Sequence, residues 1–400
     1  MTTARLIIAD SEKNANLYYA TRFLAPDPFI FIEVNPSTPP SSHSGVTRDS
    51  AQPHSGVAGL RGRRILVMSD LELDRAKTQA KVNEVLSFTK LSKQVKQRGV
   101  AEPTMMDVVD ELLKSHSIKH VEAPSDFSVV HADALRQRGY AVEPKPDPFY
   151  PERMVKSDEE IALLTQTLRT TEEALESATE LIRNSEVKPN GALWIGGKPL
   201  TAELLRKAMH LLMMEQDCVA QHTIVACGVQ AVDPHNEGSG PLKANVPIVM
   251  DVFPQHALSR YFADITRTVV KGKASGKVKR MFHAVKAGQE IGYRMIKEGV
   301  DGSAVHKAIL DSFEKLGFKT GEQDGRMQGF FHGTGHGVGL EIHEPPRVSP
   351  KPDMLKAGMV VTVEPGLYYL DAGGMRIEDM VVVTKDGCKI LTEAPKILEV

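Results

Sequence analysis

Two apolar segments, NVPIVMDVF at residues 245–253 and YFADITRT at residues 261–268, decide the fold of the second half of the chain. Their β-branched and aromatic residues are typical of strands, and residues 254–260 are short enough to connect a hairpin. Alone, Asp251 is consistent with a strand end and Asp264 with a salt bridge to an arginine. On facing strands, however, the two carboxylates would repel each other unless a cation lay between them.

The segment GTGHGVGLEIHEPP, at residues 333–346, places alternating glycines around two histidines, His336 and His343. Such glycines allow a close approach of the backbone, as in a phosphate-binding loop. A P-loop is disfavoured because no Lys-Ser or Lys-Thr pair follows the glycines. The segment therefore favours metal binding or acid–base chemistry; two histidines that only hydrogen-bond within a turn remain the alternative.

Two more acids interrupt apolar segments near the end of the chain: Glu364 in VVTVEPG and Glu378 in GMRIEDMVVV. Strand alternation places Arg376 on the same face as Glu378 and Asp379 on the opposite face. Four carboxylates and one imidazole in such surroundings predict divalent cations. Oxygen-rich ligands with one imidazole suit manganese, cobalt, iron or zinc at an open catalytic site.

The pattern of strands and helices predicts the α/β (α+β) class with two domains, residues 1–150 and 151–400. A linker is predicted by four closely spaced prolines: Pro144, Pro146, Pro148 and Pro151. Residues 36–57, rich in Ser, Pro, His and Gly, predict a mobile loop. The first domain has strand patterns at residues 28–34 and 64–68 and helical patterns around residues 71–87 and 104–116. The second has helices from the capping box at Ser157 and Glu160 and around residues 201–215, 275–298 and 303–316, and final strands near residues 358–370 and 375–384.

Composition narrows the function classes for this chain of 400 residues. A formal net charge of −2 argues against a nucleic-acid or membrane-surface partner. No apolar segment reaches the roughly 18 residues that a membrane span needs, and residues 1–10 do not have the pattern of a secretory signal. The three cysteines show no CxxC spacing. We therefore expect a cytoplasmic protein.

In this order, IVMD, FADITRT, GTGHGVGLEIHEPP, VTVEPGLY and GMRIED closely resemble the motifs of the pita-bread metallopeptidases, family M24. The branch that they resemble contains the Xaa-Pro aminopeptidases and prolidases, and the motifs span about residues 222–390. Residues 16–23, NLYYATRF, resemble the non-catalytic domain of the family more weakly. The implied fold is a small N-terminal creatinase/prolidase-like domain followed by a C-terminal pita-bread metallopeptidase domain.

The resemblance implies two divalent metal ions, with manganese first and cobalt, zinc or iron as alternatives. It implies five metal ligands: Asp251, Asp264, His336, Glu364 and Glu378. Of these, Asp264 and Glu378 would bridge both ions, Asp251 would hold one, and the remaining pair would hold the other. It also implies three further site residues: His235, His343 and Arg376.

The implied activity is hydrolysis of the N-terminal Xaa-Pro bond of peptides by a homodimer or homotetramer. Glu364 would take a proton from a metal-activated water and pass it to the leaving nitrogen. His343 would stabilise the developing oxyanion, and His235 would position the substrate. The alternatives are an Xaa-Pro dipeptidase, a creatinase-like amidinohydrolase and a catalytically silent binding protein. The last two are disfavoured because such relatives lose ligands that this chain keeps.

Two departures from the family pattern concern the connection between the aspartates. The family commonly has Asp-x-Gly, whereas this chain has Phe253 two residues after Asp251. Asp264 follows Asp251 by 13 residues (264 − 251), slightly more than is usual. Two additional residues preserve strand parity, so both carboxylates still face the site. We expect the departures to change the shape of the substrate pocket.

Overall fold

The computed structural model describes residues 2–35 and 62–400. The predicted mobile loop at residues 36–57 lies outside the described residues. The chain divides into two compact units, Met1–Arg153 and Met154–Val400.

The first unit is a sheet covered by helices. Its strands are β1 (Thr3–Ala9), β2 (Phe29–Asn35), β3 (Arg63–Met68), β4 (Glu84–Ser87), β5 (His120–Pro124) and β6 (Ala141–Lys145). Its helices are α1 (Ala15–Thr21), α2 (Leu73–Gln79), α3 (Phe88–Gln97), α4 (Met105–Ser115) and α5 (Val129–Gln137). The strand order β4-β3-β2-β1-β5-β6 combines antiparallel pairs at β1-β2 and β2-β3 with parallel pairs elsewhere. Apolar side chains of α4, such as Leu112, pack with Leu6 and Ile32 of the sheet in a buried core.

One helix predicted in this unit is wrong over part of its length. The helical pattern around residues 71–87 forms α2 only as far as Gln79, and Glu84–Ser87 is a strand paired in parallel with β3. Val85 and Leu86 lie opposite Leu66 and Val67, so pairing with an apolar neighbouring strand outweighs the helical periodicity.

The second unit contains four long helices and seventeen strands within the described residues. The helices are α6 (Asp158–Arg183), α7 (Ala202–Met214), α8 (Gly276–Met295) and α9 (Gly302–Lys315). The strands before α8 are β7 (Glu186–Val187), β8 (Leu193–Ile195), β9 (Lys198–Pro199), β10 (Cys218–Val219), β11 (Ile224–Cys227), β12 (Ile248–Val252), β13 (Gln255–His256) and β14 (Ile265–Val269). The strands after α9 are β15 (Gly321–Gln323), β16 (Arg326–Gln328), β17 (Gly335–Gly337), β18 (Glu344–Val348), β19 (Val360–Val363), β20 (Gly366–Tyr369), β21 (Gly373–Arg376), β22 (Asp379–Val383) and β23 (Cys388–Ile390). Short 3₁₀ turns cover Pro151–Met154 and Gly228–Val232.

The long helix α6 begins as the sequence predicts. The hydroxyl of Ser157 accepts from the backbone N–H of Glu160, whose carboxylate accepts from the backbone N–H of Ser157. This reciprocal capping satisfies two backbone donors at the helix start. None of the helices in the described residues has the length and apolar composition needed to cross a membrane.

Two antiparallel sheets carry the acidic motifs. One has the order β11-β12-β14, and the other has the order β18-β17-β19-β22-β23. The predicted final strands are each broken in two, and the breaks lie at Glu364 and Glu378. At each break the chain passes between the five-stranded sheet and the separate pair β20-β21. Both glutamates therefore lie where the chain changes sheets.

The buried side chain of Arg267 connects these sheets to the C-terminal segment. Arg267 on β14 forms an ion pair with Asp379 at 2.8 Å and donates to the backbone oxygens of Glu378, Ala394 and Pro395. Lys396 contacts the other carboxylate oxygen of Asp379 at 2.7 Å. The C-terminal segment is thus tied to the strands that carry the acids.

Candidate active site

The aspartate hairpin has the predicted topology with a shifted register. β12 and β14 are antiparallel, but Asp251 lies opposite Thr266 rather than Asp264. Because side chains alternate along a strand, Asp264, two residues before Thr266, lies on the same face and one diagonal step away. Both carboxylates are buried, so the hairpin brings two acids to one side of the sheet.

His336 reaches the same place from β17. Its Nδ1 lies 3.1 Å from the backbone oxygen of Gly337 and donates to it, which leaves the Nε2 lone pair free to act as a ligand. That Nε2 lies 3.5 Å from Asp264 Oδ2 and 3.4 Å from Glu364 Oε1. Burial lowers the pKa of His336 to about 3, so the imidazole is neutral. A neutral lone pair aimed at two carboxylates is the arrangement expected around a cation.

Glu378 completes a compact group. One ligand atom each from Asp264, His336 and Glu378 lies within 4.8 Å of the others. The hydroxyl of Thr266 donates to Glu378 Oε2 at 2.7 Å, and the backbone N–H of Glu378 donates to Thr266 O at 3.0 Å. These two bonds join the three-stranded and five-stranded sheets at the acids.

Arg376 supplies positive charge from the same face. Its Nη2 donates to Asp251 Oδ2 at 2.6 Å, and its Nε donates to the Thr266 hydroxyl at 3.1 Å. The other carboxylate oxygen, Asp251 Oδ1, is buried and finds no hydrogen-bond partner among the described residues. An unpaired buried carboxylate oxygen is costly unless a cation or water binds it.

Three acids of this group, Asp264, Glu364 and Glu378, have raised pKa values. Burial, reinforced by the charge of Glu378, raises the pKa of Asp264 well above its usual range. Burial, reinforced by the charge of Glu364, does the same to the pKa of Glu378. Burial also raises the pKa of Glu364 to about 7. The protein by itself thus leaves part of the negative charge of this group uncompensated.

These observations fit the predicted metal centre. Oxygen donors from four carboxylates, one neutral imidazole and the unpaired Oδ1 of Asp251 match the donor set that divalent cations prefer. All five predicted ligands line one cavity of about 530 Å³. The structure brings the five together; their roles as ligands stay a prediction.

The three further predicted site residues line the same cavity. Arg376 is buried, whereas His235 and His343 are exposed to the cavity and the solvent. The ring of His343 meets the ring of His336 edge-on, with centroids 4.4 Å apart. Its neighbour Glu344 forms a buried ion pair with Lys156 at 2.5 Å, which anchors the segment that carries His343.

Two residues of the site were not predicted from the sequence: His332, which lines the cavity, and Tyr368, which is buried and contacts His332 and Arg376. His332 Nδ1 donates to Gly333 O at 2.8 Å, so its Nε2 accepts from the Tyr368 hydroxyl at 2.9 Å, and the same hydroxyl accepts from Arg376 Nη1 at 2.8 Å. Burial lowers the pKa of His332 to about 3 and raises that of Tyr368 to about 12. The available signal was the position of His332, four residues before His336 and just outside the glycine-rich segment.

The glycines around His336 are explained by close packing. A Cβ at Gly335 would lie 2.0 Å from the backbone oxygen of Thr362 on β19, and one at Gly337 would lie 2.4 Å from that of Pro345. Strand β17 therefore fits between its neighbours only without these side chains. The glycine pattern reflects sheet packing and not a phosphate cradle.

Buried carboxylates around one neutral imidazole, where two sheets meet beside an open cavity, are typical of metal-dependent hydrolases. The sequence profile of Metallopeptidase family M24 matches residues 162–385, and the chain belongs to this family. This membership confirms the family, the pita-bread fold and the peptidase class predicted from the motifs.

Individual relatives are similar along most of the chain. An Xaa-Pro dipeptidase of Pyrococcus horikoshii is 28% identical over 358 residues, a match that covers 86% of this chain and 90% of the relative. The crystal structure of an X-Pro aminopeptidase of Thermotoga maritima matches with a TM-score of 0.76 and 24% identity, covering 100% of this chain and 97% of that one. An Xaa-Pro dipeptidase of Bacillus anthracis matches with a TM-score of 0.77 and 22% identity, covering 100% and 95%. The two structures establish the shared fold.

Proposed function

We propose that the chain is a two-metal peptidase that hydrolyses the bond between the first residue of a peptide and a following proline. The observation that carries this proposal is the buried group of Asp264, His336 and Glu378, with Glu364 and the unpaired oxygen of Asp251 beside it. Family membership supports metal-dependent hydrolysis of peptide bonds. The activities named for the relatives support the Xaa-Pro bond.

The proposed centre would hold two divalent ions through Asp251, Asp264, His336, Glu364 and Glu378. Manganese is our first choice, and cobalt, zinc and iron remain alternatives because oxygen-rich sites with one imidazole accept each of them. When bound, the ions would supply a water whose pKa is lowered towards neutrality.

The chain's own residues would move the proton and hold the peptide. Glu364 lines the cavity beside His336, which supports the proposal that it would accept a proton and return it to the leaving nitrogen. His343, exposed to the cavity, would donate to the carbonyl oxygen as negative charge develops. His235 lines the same cavity and would contact the substrate.

A dipeptidase is the second candidate. It is favoured by the names of the Pyrococcus relatives and by the aromatic side chain of Phe253 in the cavity wall. A homodimer or homotetramer and a cytoplasmic location stay predictions from the resemblance and the composition.

The test is an assay of Xaa-Pro dipeptides and longer peptides while manganese, cobalt or zinc is titrated into metal-free protein. We expect hydrolysis that follows metal occupancy, measured by elemental analysis. Glu364→Gln should lower kcat by at least about 100-fold at saturating metal, since a positioned acid or base contributes about 10²–10⁴-fold. Bound metal without turnover of any peptide would indicate a silent binding protein.

A matched control separates proton transfer from general damage. Glu290 lies on the exposed face of α8 in the same unit. Glu290→Gln makes the same chemical change away from the cavity and should keep kcat within about twofold. Near-normal hydrolysis by the Glu364→Gln protein would refute the role given to that residue.

A further inference from the structure

A second cavity of about 420 Å³ adjoins the candidate active site within the unit Met154–Val400. Phe253 and Ile342 line both cavities, so these two side chains form the wall between them. Phe253 stands where the family commonly has glycine, and a glycine would leave this part of the wall without a side chain. Phe253 is therefore the part of the wall at which this chain departs from the family pattern.

The second cavity differs chemically from the first. Apolar side chains such as Val219 and Phe262 line it together with Gln221, Gln255, Arg260 and His222, whose Nδ1 lies 2.8 Å from Glu237 Oε1. No acidic side chain lines it within the described part of the chain. The active-site cavity, in contrast, is lined by the four buried carboxylates. A group with an apolar body and a negative end would fit the second cavity, which Arg260 lines and, among the described residues, no acidic side chain does.

The wall and the cation belong to one hairpin. Phe253 begins the connection between β12 and β14, and Arg260 lies near its end. The backbone N–H of Arg260 donates to His256 O at 2.9 Å, and the Gln255 side chain donates to Arg260 O at 2.9 Å. Arg260 has a φ of 65°, a left-handed backbone conformation that these contacts hold. The hairpin that links the two aspartates thus builds the second cavity.

We propose that the second cavity binds the third residue of a peptide together with its C-terminal carboxylate, and that Phe253 limits entry to it. The inference rests on the proposed function. The amino end of the peptide would lie towards the carboxylates, and the carboxyl end would lie towards Arg260. Phe253 would then determine the preference between dipeptides and longer peptides, and Arg260 would recognise the free carboxylate.

The first experiment varies the wall. For each protein, kcat/KM is measured for Ala-Pro and for Ala-Pro-Leu under saturating metal, and their ratio is compared. Phe253→Ala should raise the tripeptide-to-dipeptide ratio by about tenfold, and Phe253→Trp should lower it, since a change of pocket size of this kind is worth about 10–200-fold. The ratio does not depend on the folded fraction of a variant. An unchanged ratio in both variants would overturn the proposal.

The second experiment tests the cation. In the Phe253→Ala background, Arg260→Gln should lower kcat/KM for Ala-Pro-Leu by about fivefold or more, and for its C-terminal amide much less. An equal loss for acid and amide would contradict carboxylate recognition. Calorimetric binding of Ala-Pro-Leu to the Glu364→Gln protein, with and without Phe253→Ala, gives a readout without turnover. The Phe253→Ala change should tighten that binding.

The matched control is Phe331→Ala. Phe331 lines the active-site cavity but not the second one. Its removal should not raise the tripeptide-to-dipeptide ratio, and an equal rise would show that any enlargement of the active site suffices. If the unaltered protein hydrolyses neither peptide, the proposed function fails. If it hydrolyses Ala-Pro but the tripeptide-to-dipeptide ratio is the same in the Phe253 variants, only this inference fails.

Discussion

The buried ion pair of Arg376 and Asp251 leaves one carboxylate oxygen available to bind a cation. One carboxylate oxygen is paired with the guanidinium at 2.6 Å, while the other has no partner among the described residues. Strand alternation predicted that Arg376 shares a face with Glu378, because that relation is local. The contact with Asp251 was not predictable, since the two residues are 125 apart in sequence and meet only when two sheets pack.

We predict that Arg376→Met lowers the free energy of unfolding of metal-free protein by about 3–5 kcal/mol, because it leaves a buried carboxylate without its partner. Added manganese should shrink this loss by supplying the missing positive charge. Urea unfolding with EDTA and with manganese measures both values. Arg347→Met is the control, since Arg347 is exposed on the cavity rim and should cost under about 0.5 kcal/mol. An equal loss in the free energy of unfolding with EDTA and with manganese would contradict this explanation.

At the level of elements, β17 carries His336 between two neighbouring strands with no room for a side chain at Gly335. The sequence indicated that another group lies close to these glycines. It did not indicate that this group is the backbone of a neighbouring strand. The two final strands, near residues 358–370 and 375–384, were predicted as unbroken. Pro365 and Gly366 were a signal for the break after Glu364, whereas no glycine or proline marks the break at Glu378. At that break Glu378 accepts from the hydroxyl of Thr266, a residue 112 positions away in sequence.

Gly335→Ala should lower the free energy of unfolding by about 1–3 kcal/mol, because its Cβ would overlap the backbone oxygen of Thr362. The displacement of His336 should also weaken metal binding, measured by calorimetry. Gly333→Ala is the matched control two residues away. Its Cβ would be 3.5 Å from the nearest atoms, an ordinary contact. Equal stability of the two variants would be inconsistent with the packing described for β17.

For the whole molecule, the acidic centre couples stability to pH and to metal. The pKa values of Asp264 and Glu378 are raised, and that of Glu364 is raised to about 7. A carboxyl group whose pKa is higher in the folded state than in the unfolded state binds its proton more tightly when folded. Its contribution to stability is therefore present at low pH and is lost as the pH rises through the folded pKa.

We predict that metal-free protein has a lower Tm at pH 8 than at pH 5.5, and that manganese stabilises it more at pH 8. Manganese at about 100 times its Kd contributes about 2.7 kcal/mol, a Tm increase of roughly 5–10 °C for a unit of this size. Protons compete for the same carboxylates at pH 5.5, so the increase there should be smaller. Thermal unfolding with EDTA and with manganese at both pH values tests this. An equal Tm increase with manganese at both pH values would contradict the coupling between protons and metal.

The attachment of the C-terminal segment has a practical consequence for anyone who handles this protein. The guanidinium of Arg267 donates hydrogen bonds to the backbone oxygens of Ala394 and Pro395 and also to that of Glu378. Proteolytic trimming back past Ala394, or an affinity tag that strains this segment, would loosen the guanidinium behind the acidic centre. Removal of these residues should then weaken metal binding before it changes the secondary structure, if the proposed metal centre is correct.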